Sequence, residues 1–400
     1  MLNFVHIGIG QCGNRFAEQF GKNGRLAIAI NTARIDMVSI DRKAVSLKNQ
    51  IHIAMNGHKD GAGRNPEIGR ASMEANIEKV YDAIQKATNG VSVDRFCLWA
   101  GLGGGTGTGG VLPLMRYLLA KGHKVMLGLT LPRKKEGWVV RMNAIRALTN
   151  ILGELDEDRR NIVPYIIIDN ERIVGGIDTA NEIIVRDLAR FTKTTNNVPS
   201  ASAFDDTDYS RLLDYKGVVS VVRSSISVES VKGNDIFAKA VQEGWDKSWL
   251  TKFNAKNATG AVTLVIVPTK FYNTKGNKEL INENIESVEA LYPHANPYSC
   301  VYEAKNDGID KVIIYTMLTG LPAPDDILDE IYEDISEQIS EDKERRKKQK
   351  CVERQARARR QKLEYDPNNV DDDNEVVVGE AKTESENKTI IIGGESAFSL

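Results

Sequence analysis

The stretch that decides the fold is Gly101-Leu102-Gly103-Gly104-Gly105-Thr106-Gly107-Thr108-Gly109-Gly110, in which seven of the ten residues are glycine. It lies between an apolar run at 93–100, which predicts a strand, and a segment of helical periodicity at about 108–121. Without Cβ atoms this backbone can turn tightly and aim successive N–H groups at an anion, and Thr106 and Thr108 add hydroxyl donors. A flexible linker is the alternative, although linkers rarely join a buried strand to an apolar helix. The stretch therefore predicts a phosphate-binding loop, and no GxxxxGK[ST] motif of a P-loop NTPase occurs.

A second glycine pattern, GIGQCG at 8–13, also lies between a predicted strand (2–9) and a predicted helix (12–21). Read alone, GxGxxG is typical of a Rossmann dinucleotide site, and an NAD(P)-dependent oxidoreductase is the alternative from another functional class. Such a site also requires an acidic residue after the second strand, to hold the ribose. Here that strand, 26–31, ends in Asn31-Thr32, so this reading lacks its second requirement.

Short apolar strands alternate with helices through the first 170 residues, which predicts an α/β fold with a parallel sheet covered on both faces. A long connecting helix at 177–195 leads to a smaller α/β region. We predict five segments: a nucleotide-binding domain at 1–176, the connecting helix at 177–195, a loop and second domain at 196–324, a C-terminal helix with a basic end at 325–362, and an acidic disordered tail at 363–400.

The motifs, in their order, resemble those of the tubulin/FtsZ superfamily of filament-forming GTPases. GGGTGTG at 103–109 resembles the family signature, and GQCGN at 10–14 and GAGRNPEIGR at 61–70 resemble its first and third nucleotide loops. Asn31-Thr32, Glu136-Gly137 with Arg141, and Asp169-Asn170-Glu171 resemble the second, fifth and sixth loops. The resemblance covers about residues 1–320 and implies a Rossmann-like GTPase domain, a connecting helix and a smaller second domain.

The same resemblance implies which residues hold GTP or GDP. Asn181 resembles the residue that reads the guanine base, Ile177 one turn earlier packs against the ring, and Asn170 contacts the ribose or base. The full implied set is Gly10, Gln11, Cys12, Asn31, Gly61, Gly63, Asn65, Gly103, Gly104, Gly105, Thr106, Gly107, Thr108, Gly109, Glu136, Arg141, Asn170, Ile177 and Asn181.

In this family, acidic residues of the next subunit complete the active site, and the FtsZ pattern is NxDxxD. The segment Ala203-Phe204-Asp205-Asp206-Thr207-Asp208 matches at Asp205 and Asp208, which we predict to be catalytic, and departs at Ala203. Asp206 could substitute for Asp205, and all three acids could instead cap the helix near 208. Because phosphoryl transfer relies on positioning and electrostatics, we expect Mg²⁺ held through phosphate and water rather than by many protein ligands.

Composition narrows the remaining function classes. The 400 residues carry 53 basic and 55 acidic side chains, four cysteines without paired spacing, no run apolar enough to span a membrane and no signal-like N-terminus, which together predict a cytoplasmic protein. The formal charge of −2 hides a dipolar end: residues 341–362 carry a net +7 and residues 363–389 a net −7. Any nucleic-acid role is therefore confined to the basic stretch.

The long helix with a basic end resembles TubZ-type plasmid or phage tubulin homologues, which implies homopolymeric filaments for DNA segregation or positioning. Within the superfamily, an FtsZ-like division protein and a phage spindle tubulin are the alternatives. A non-hydrolysing structural filament that holds GTP permanently is an alternative of another class, and Asp205 and Asp208 argue against it. The basic stretch could contact a DNA-bound adaptor protein or DNA phosphates directly, or be a solvated helix that binds nothing. The predicted partner-binding residues are Arg345, Arg346, Lys347, Lys348, Arg357, Arg359 and Arg360.

Overall fold

The computed structural model describes residues 3–54, 60–154, 163–173, 175–192, 198–199, 203–250, 252–304 and 310–364. Within them the strands are β1 (Phe4–Ile9), β2 (Ala27–Asn31), β3 (Gln50–His52), β4 (Arg95–Gly101), β5 (Val125–Leu131), β6 (Pro164–Asp169), β7 (Val198–Pro199), β8 (Gly217–Ser227), β9 (Gly260–Pro268), β10 (Asn296–Ala304) and β11 (Lys311–Leu321). They form one sheet in the order β3-β2-β1-β4-β5-β6-β8-β11-β9-β10-β7.

The helices of the described chain are α1 (Gly10–Lys22), α2 (Arg34–Val38), α3 (Pro66–Ala75), α4 (Ile77–Ala87), α5 (Thr106–Ala120), α6 (Trp138–Leu152), α7 (Ile177–Phe191), α8 (Asp206–Asp214), α9 (Ile236–Asp246), α10 (Thr269–Tyr272), α11 (Asn277–Glu289) and α12 (Asp325–Glu364). In this part of the chain, no helix has an apolar stretch long enough to cross a bilayer.

The sheet has two halves of different character. From β3 to β6 all neighbouring strands are parallel. These strands are buried almost throughout, because helices cover both faces of a parallel sheet. In the second half, β11 runs antiparallel to β8 and β9, and β9 and β10 are parallel. The halves meet at β6 and β8, where Pro164 pairs with Gly217 and Tyr165 with Val218. The predicted α/β class with a parallel sheet is confirmed.

Most predicted strands and helices agree with the structure to within a few residues, and the exceptions have local causes. The sequence between 70 and 88 has continuous helical periodicity, which predicts one helix, but the structure has two, because Asn76 leaves helical geometry with a φ of −115° and a ψ of 12°. The first of them begins earlier than predicted, at Pro66, where the Asn65 side chain accepts a hydrogen bond from the Glu67 N–H. The short elements α2 and β3 were not predicted, since neither is long enough to show periodicity.

The start of α12 belongs to the compact unit that ends at Asp342. Leu328 and Ile331 pack against its apolar core and Ile335 is fully buried, so apolar residues at helical spacing dock the start of α12. A second unit begins at Lys343, and its described side chains up to residue 357 are exposed. The predicted acidic tail at 363–400 lies outside the described residues from 365 onward.

Candidate functional site

A cavity of about 760 Å³ lies at the carboxyl ends of the parallel strands. Loops that follow the six strands β1 to β6 line it, and the start of α7 closes one side. Its volume falls in the range of pockets that hold a small organic ligand. The crevice at the carboxyl edge is also where open parallel sheets bind their ligands.

The first glycine loop brings β1 into α1 by a turn that other residues would block. A Cβ on Gly8 would lie 2.2 Å from the Gly13 carbonyl oxygen, and Gly10 has a φ of +73°. In the described chain no side chain caps the N-terminus of α1, so its first N–H groups remain available to a ligand. Three predicted nucleotide-binding residues, Gly10, Gln11 and Cys12, line the cavity. Burial raises the pKa of the Cys12 thiol, which lies 3.4 Å from the Thr130 hydroxyl.

The second glycine loop is held in place by its own threonines. Thr108 Oγ1 accepts a 2.8 Å hydrogen bond from the Gly103 N–H, and Thr106 Oγ1 lies 2.6 Å from Thr32 Oγ1. The first turn of α5 carries no acidic residue and, among the described residues, no capping side chain. Residues 103–107 line the cavity, whereas Thr108 and Gly109 lie behind it in the packed base of the loop. The loop is thus a rigid connection between a buried strand and a helix, and not a linker.

The wall opposite the glycine loops carries buried amides without partners. Asn181 is 2% exposed, and neither atom of its side-chain amide has a hydrogen-bond partner in the described structure. Asn170 is 7% exposed, and its Oδ1 is likewise unpaired among the described residues. Both line the cavity together with Ile177, so the three residues predicted to contact the base and ribose lie at one cavity. Buried polar atoms are nearly always satisfied, so these three atoms indicate a ligand with complementary groups.

The third predicted loop contributes through its backbone. Gly61 and Gly63 line the cavity with φ values of +92° and +55°, and Arg64, between Gly63 and Asn65, adopts a φ of +59°. Asn65 does not line the cavity, because its side chain caps α3. Asn31 of the second loop does line it and accepts a hydrogen bond from Thr106 Oγ1 at 3.4 Å.

Arg141 is placed differently from its predicted role. Glu136, a predicted nucleotide-binding residue, and Val140, which was not predicted, line the cavity. Arg141 is turned away, since neighbouring helical residues point about 100° apart. Its buried guanidinium donates to Asp334 of α12 at 3.0 Å, and Lys134 lies 2.6 Å from the same carboxylate oxygen. The hydrogen bond from Lys134 is the main cause that lowers the pKa of the Asp334 carboxyl, and the hydrogen bond from Arg141 lowers it further.

Five charged residues of the cavity were not predicted: Arg15, Asp36, Arg64, Lys135 and Asp178. Arg15 is one helical turn after Gln11, and its guanidinium lies 3.3 Å from the Asp178 carboxylate. Asp178 directly follows Ile177, and Asp36 accepts a hydrogen bond from Asn31. Helical spacing from the predicted residues could have found Arg15. In the described part of the chain, no three His, Cys, Asp or Glu side chains are grouped to hold a metal ion.

The predicted catalytic acids lie away from the cavity, at the start of α8. Asp205 Oδ1 accepts from the Thr207 and Asp208 N–H groups at 2.7 and 2.9 Å, and Asp208 Oδ2 accepts from the Asp205 N–H at 3.3 Å. The two acids therefore form the capping arrangement that was the alternative to a catalytic role. The cavity lies at the first residue of α7. The last residue of α7, Phe191, packs against Tyr209 of α8 with ring centres 5.5 Å apart, so the acids lie at the other end of this helix. A helix of this length spans roughly 20 Å, so one chain does not bring the acids to its own cavity.

The predicted partner-binding residues lie in the second unit. Arg345, Arg346, Lys347, Lys348 and Arg357 are exposed on α12. Arg359 and Arg360 lie outside the residues whose side chains the structure describes.

Comparisons with known proteins agree with this geometry. Residues 3–178 match the GTPase domain of the Tubulin/FtsZ family. The tubulin-like protein TubZ of Bacillus cereus is 24% identical over 373 residues, 82% of either chain, and the tubulin-like protein CetZ of Pyrococcus abyssi is 30% identical over 234 residues, 58% of this chain and 60% of that protein. A GTPγS-form protofilament of TubZ from Bacillus thuringiensis serovar israelensis has a TM-score of 0.70 at 20% identity, over 86% of this chain and 94% of that one. Residues 3–178 therefore belong to the Tubulin/FtsZ family as its GTPase domain, in a chain with the fold of TubZ.

Proposed function

We propose that the cavity binds GTP and GDP. The observation that carries this proposal is the buried amide of Asn181, neither atom of which has a partner in the described structure. Together Asn170 and Asn181 offer two unpaired acceptors and one unpaired donor. Guanine presents the complementary set, with donors at N1 and N2 and an acceptor at O6, whereas the adenine edge has a donor only at N6. Ile177 would pack against the ring.

The phosphates would lie on the glycine loops. The N-termini of α1 and α5 meet there without capping side chains in the described chain, and both supply free N–H groups and the positive end of a helix dipole. Mg²⁺ would neutralise the phosphates, held through phosphate oxygens and water. The residues present fit that arrangement, because hydroxyl and carboxylate oxygens line this end at Thr106 and Asp36.

Hydrolysis, in this proposal, takes place where two copies of the chain meet head to tail. Asp205 and Asp208 of one copy would orient water at the cavity of the next, since they lie about one α7 length from their own. The similar structure of TubZ from Bacillus thuringiensis, which is a GTPγS-form protofilament, supports such head-to-tail assembly. Filament growth and nucleotide turnover would then be linked, because each active site exists only at a junction.

The cellular role we infer is a cytoplasmic filament that segregates or positions plasmid or phage DNA. The exposed basic residues 345–348 support a DNA-bound adaptor as the partner. The division and phage spindle roles share the same site and filament. A pulldown that compares the partners of the full chain with those of a chain ending at residue 342 would distinguish these roles from DNA segregation.

The experiment that tests the shared site is complementation between two inactive variants. Asp208→Asn keeps the cavity, and Asn181→Ala keeps the acids, so we expect each alone to lose at least about 100-fold in phosphate release. A mixture of the two contains junctions that pair an intact cavity with an intact acid, and its turnover should recover. Pelleting with GTP, GDP and GTPγS reports assembly in parallel. Co-pelleting without recovered turnover would contradict a site shared between subunits, and full turnover by Asp208→Asn would contradict the catalytic assignment.

A further inference from the structure

Three polar residues form a stripe along one side of α12, at intervals of four residues: Asp334, Gln338 and Asp342. Asp334 Oδ2 accepts from Lys134 Nζ at 2.6 Å and from Arg141 Nη2 at 3.0 Å. Asp342 Oδ2 accepts from the Trp138 indole N–H at 3.2 Å. The side chain of Arg141 is only 3% exposed and that of Asp334 is 22% exposed, so the stripe is a partly buried polar seam.

The partners named above, Lys134, Trp138 and Arg141, all belong to one wall of the cavity, the segment 133–143, which we call the wall segment. Within it, the residues that bond α12 alternate with residues that line the cavity, namely Lys135, Glu136 and Val140. A displacement of α12 along the seam would therefore move the cavity lining by way of the same short stretch of backbone.

The wall segment also bonds the other loops of the cavity. Asn143 Nδ2 donates to the Arg64 and Gly103 carbonyls at 3.3 and 3.4 Å. Arg133 Nε donates to the Asn170 carbonyl at 3.0 Å, and the Lys134 N–H donates to Glu171 at 2.9 Å. The wall segment is thus the common support of two phosphate-side loops and the base-side loop.

The seam contains an unused donor and an unused acceptor. Arg141 Nη1 and Gln338 Oε1 are both buried, and neither has a hydrogen-bond partner in the described structure. One lies on the wall segment and the other on α12, so each side of the seam holds a polar atom beyond those that its present bonds use. Buried polar groups of this kind favour discrete arrangements over continuous sliding.

From these contacts we propose that Asp334 is a positioning residue, and that the α12 stripe couples the C-terminal helix to the affinity of the cavity for guanine nucleotide. The inference rests on the proposed function, since it concerns the same cavity. Coupling of this kind is reciprocal: if the stripe strengthens nucleotide binding, nucleotide must stabilise the docked start of α12 to the same extent.

The first test measures binding of fluorescent GDP to the full chain, below the concentration at which it assembles. Asp334→Asn leaves Arg141 buried without its carboxylate, and we expect about ten-fold weaker binding, within the usual span of coupling between sites. Glu333→Gln removes the neighbouring, exposed carboxylate of the same helix and should bind as the unchanged chain does. Asp334→Glu should restore most of the affinity, because the carboxylate returns.

A purely structural role for Asp334 would give a different pattern. It would lower the melting temperature equally with and without GDP, whereas a positioning role reduces the rise in melting temperature that GDP causes. If Asp334→Asn does not fold, Lys134→Met removes a half-exposed partner of the same carboxylate and is measured in its place.

The reciprocal test is hydrogen exchange of the unchanged chain with and without GDP. Amides of 328–342 should exchange more slowly with GDP bound, by a factor similar to the affinity lost in Asp334→Asn. If the unchanged chain binds GDP, equal affinity of Asp334→Asn or unchanged exchange at 328–342 would overturn the coupling alone. If the unchanged chain binds no guanine nucleotide, the proposed function falls as well.

Discussion

The cavity loops and the acidic turn at the start of α8 are both polar, but their polar groups are used in opposite ways. At the cavity, both amide atoms of Asn181 lack partners in the described structure, and α1 and α5 begin without capping side chains there. At the turn, Asp205 and Asp208 satisfy the N-terminal N–H groups of α8 and one another's backbone. The cavity is therefore complete only with a ligand, whereas the turn is complete by itself and offers its exposed charge to an approaching molecule.

The largest effect expected from this contrast is at Gly103. Its φ is +107°, and a Cβ there would lie 2.6 Å from Val140 Cγ1 and 2.7 Å from the Val140 carbonyl oxygen. Gly103→Ala should therefore destabilise the fold by about 3 kcal/mol, through an incompatible backbone and a clash with the wall of the cavity. Urea unfolding of the chain without nucleotide measures this loss.

Gly104→Ala is the matched control, because a Cβ on Gly104 has no atom within 4 Å. Stability should change by less than about 0.5 kcal/mol, while GDP binding weakens, because the new methyl group enters the space for phosphate. Equal stability losses in the two variants would show that the cavity loop is not the pre-formed structure that its contacts indicate.

The second prediction concerns the pH dependence of stability, and it tests the buried residue His6 on the strand behind the first glycine loop. Burial, and to a lesser extent the Arg25 charge, lowers the pKa of His6 from 6.5 to about 3. Trp99 Nε1 donates to His6 Nδ1 at 3.2 Å, which leaves the ring neutral with its proton on Nε2, and the ring stacks on Phe20.

Because the unfolded chain binds a proton at His6 below about pH 6.5 and the folded chain does not, stability is full above that pH and falls as the pH falls towards 3. Between pH 7 and pH 5 the loss should be about 2 kcal/mol. His6→Gln should flatten this slope, and His294→Gln, at an exposed position, should leave it unchanged. Urea midpoints at the two pH values provide the comparison, and an equal slope in all three proteins would refute the assignment to His6.

The contrast also explains how much of the site the sequence could predict. The glycine loops were identified because tight turns between strand and helix leave a composition that is visible in the chain itself, and most of the predicted residues around Asn31, Gly61, Gly103 and Asn181 line one cavity. The family resemblance supplied Asn170 and Asn181, whose position beside the loops depends on the order of strands in the sheet.

What the sequence could not predict is the orientation of side chains one residue apart. Arg141 was expected at the ligand, yet Val140 faces the cavity and Arg141 faces α12. Asp334, about 190 residues further along, is its partner, and no local pattern connects the two. Spacing predicts which side of a helix a residue occupies only when one other residue on that helix is already fixed.

The smallest predicted effect tests whether the acidic turn has one use or two. Asp205→Ala removes the cap of α8 and should lower stability by about 1 kcal/mol, whereas Asp205→Asn keeps an equally good capping oxygen and should lower it by much less. If the carboxylate also acts on the nucleotide of the next subunit, both variants should lose phosphate release to a similar extent despite this difference in stability. Turnover that follows stability, so that Asp205→Asn remains active, would mean that the turn only caps its helix. Urea unfolding and phosphate release on the same preparations decide between these outcomes, because capping needs an oxygen atom and the proposed catalysis needs its negative charge.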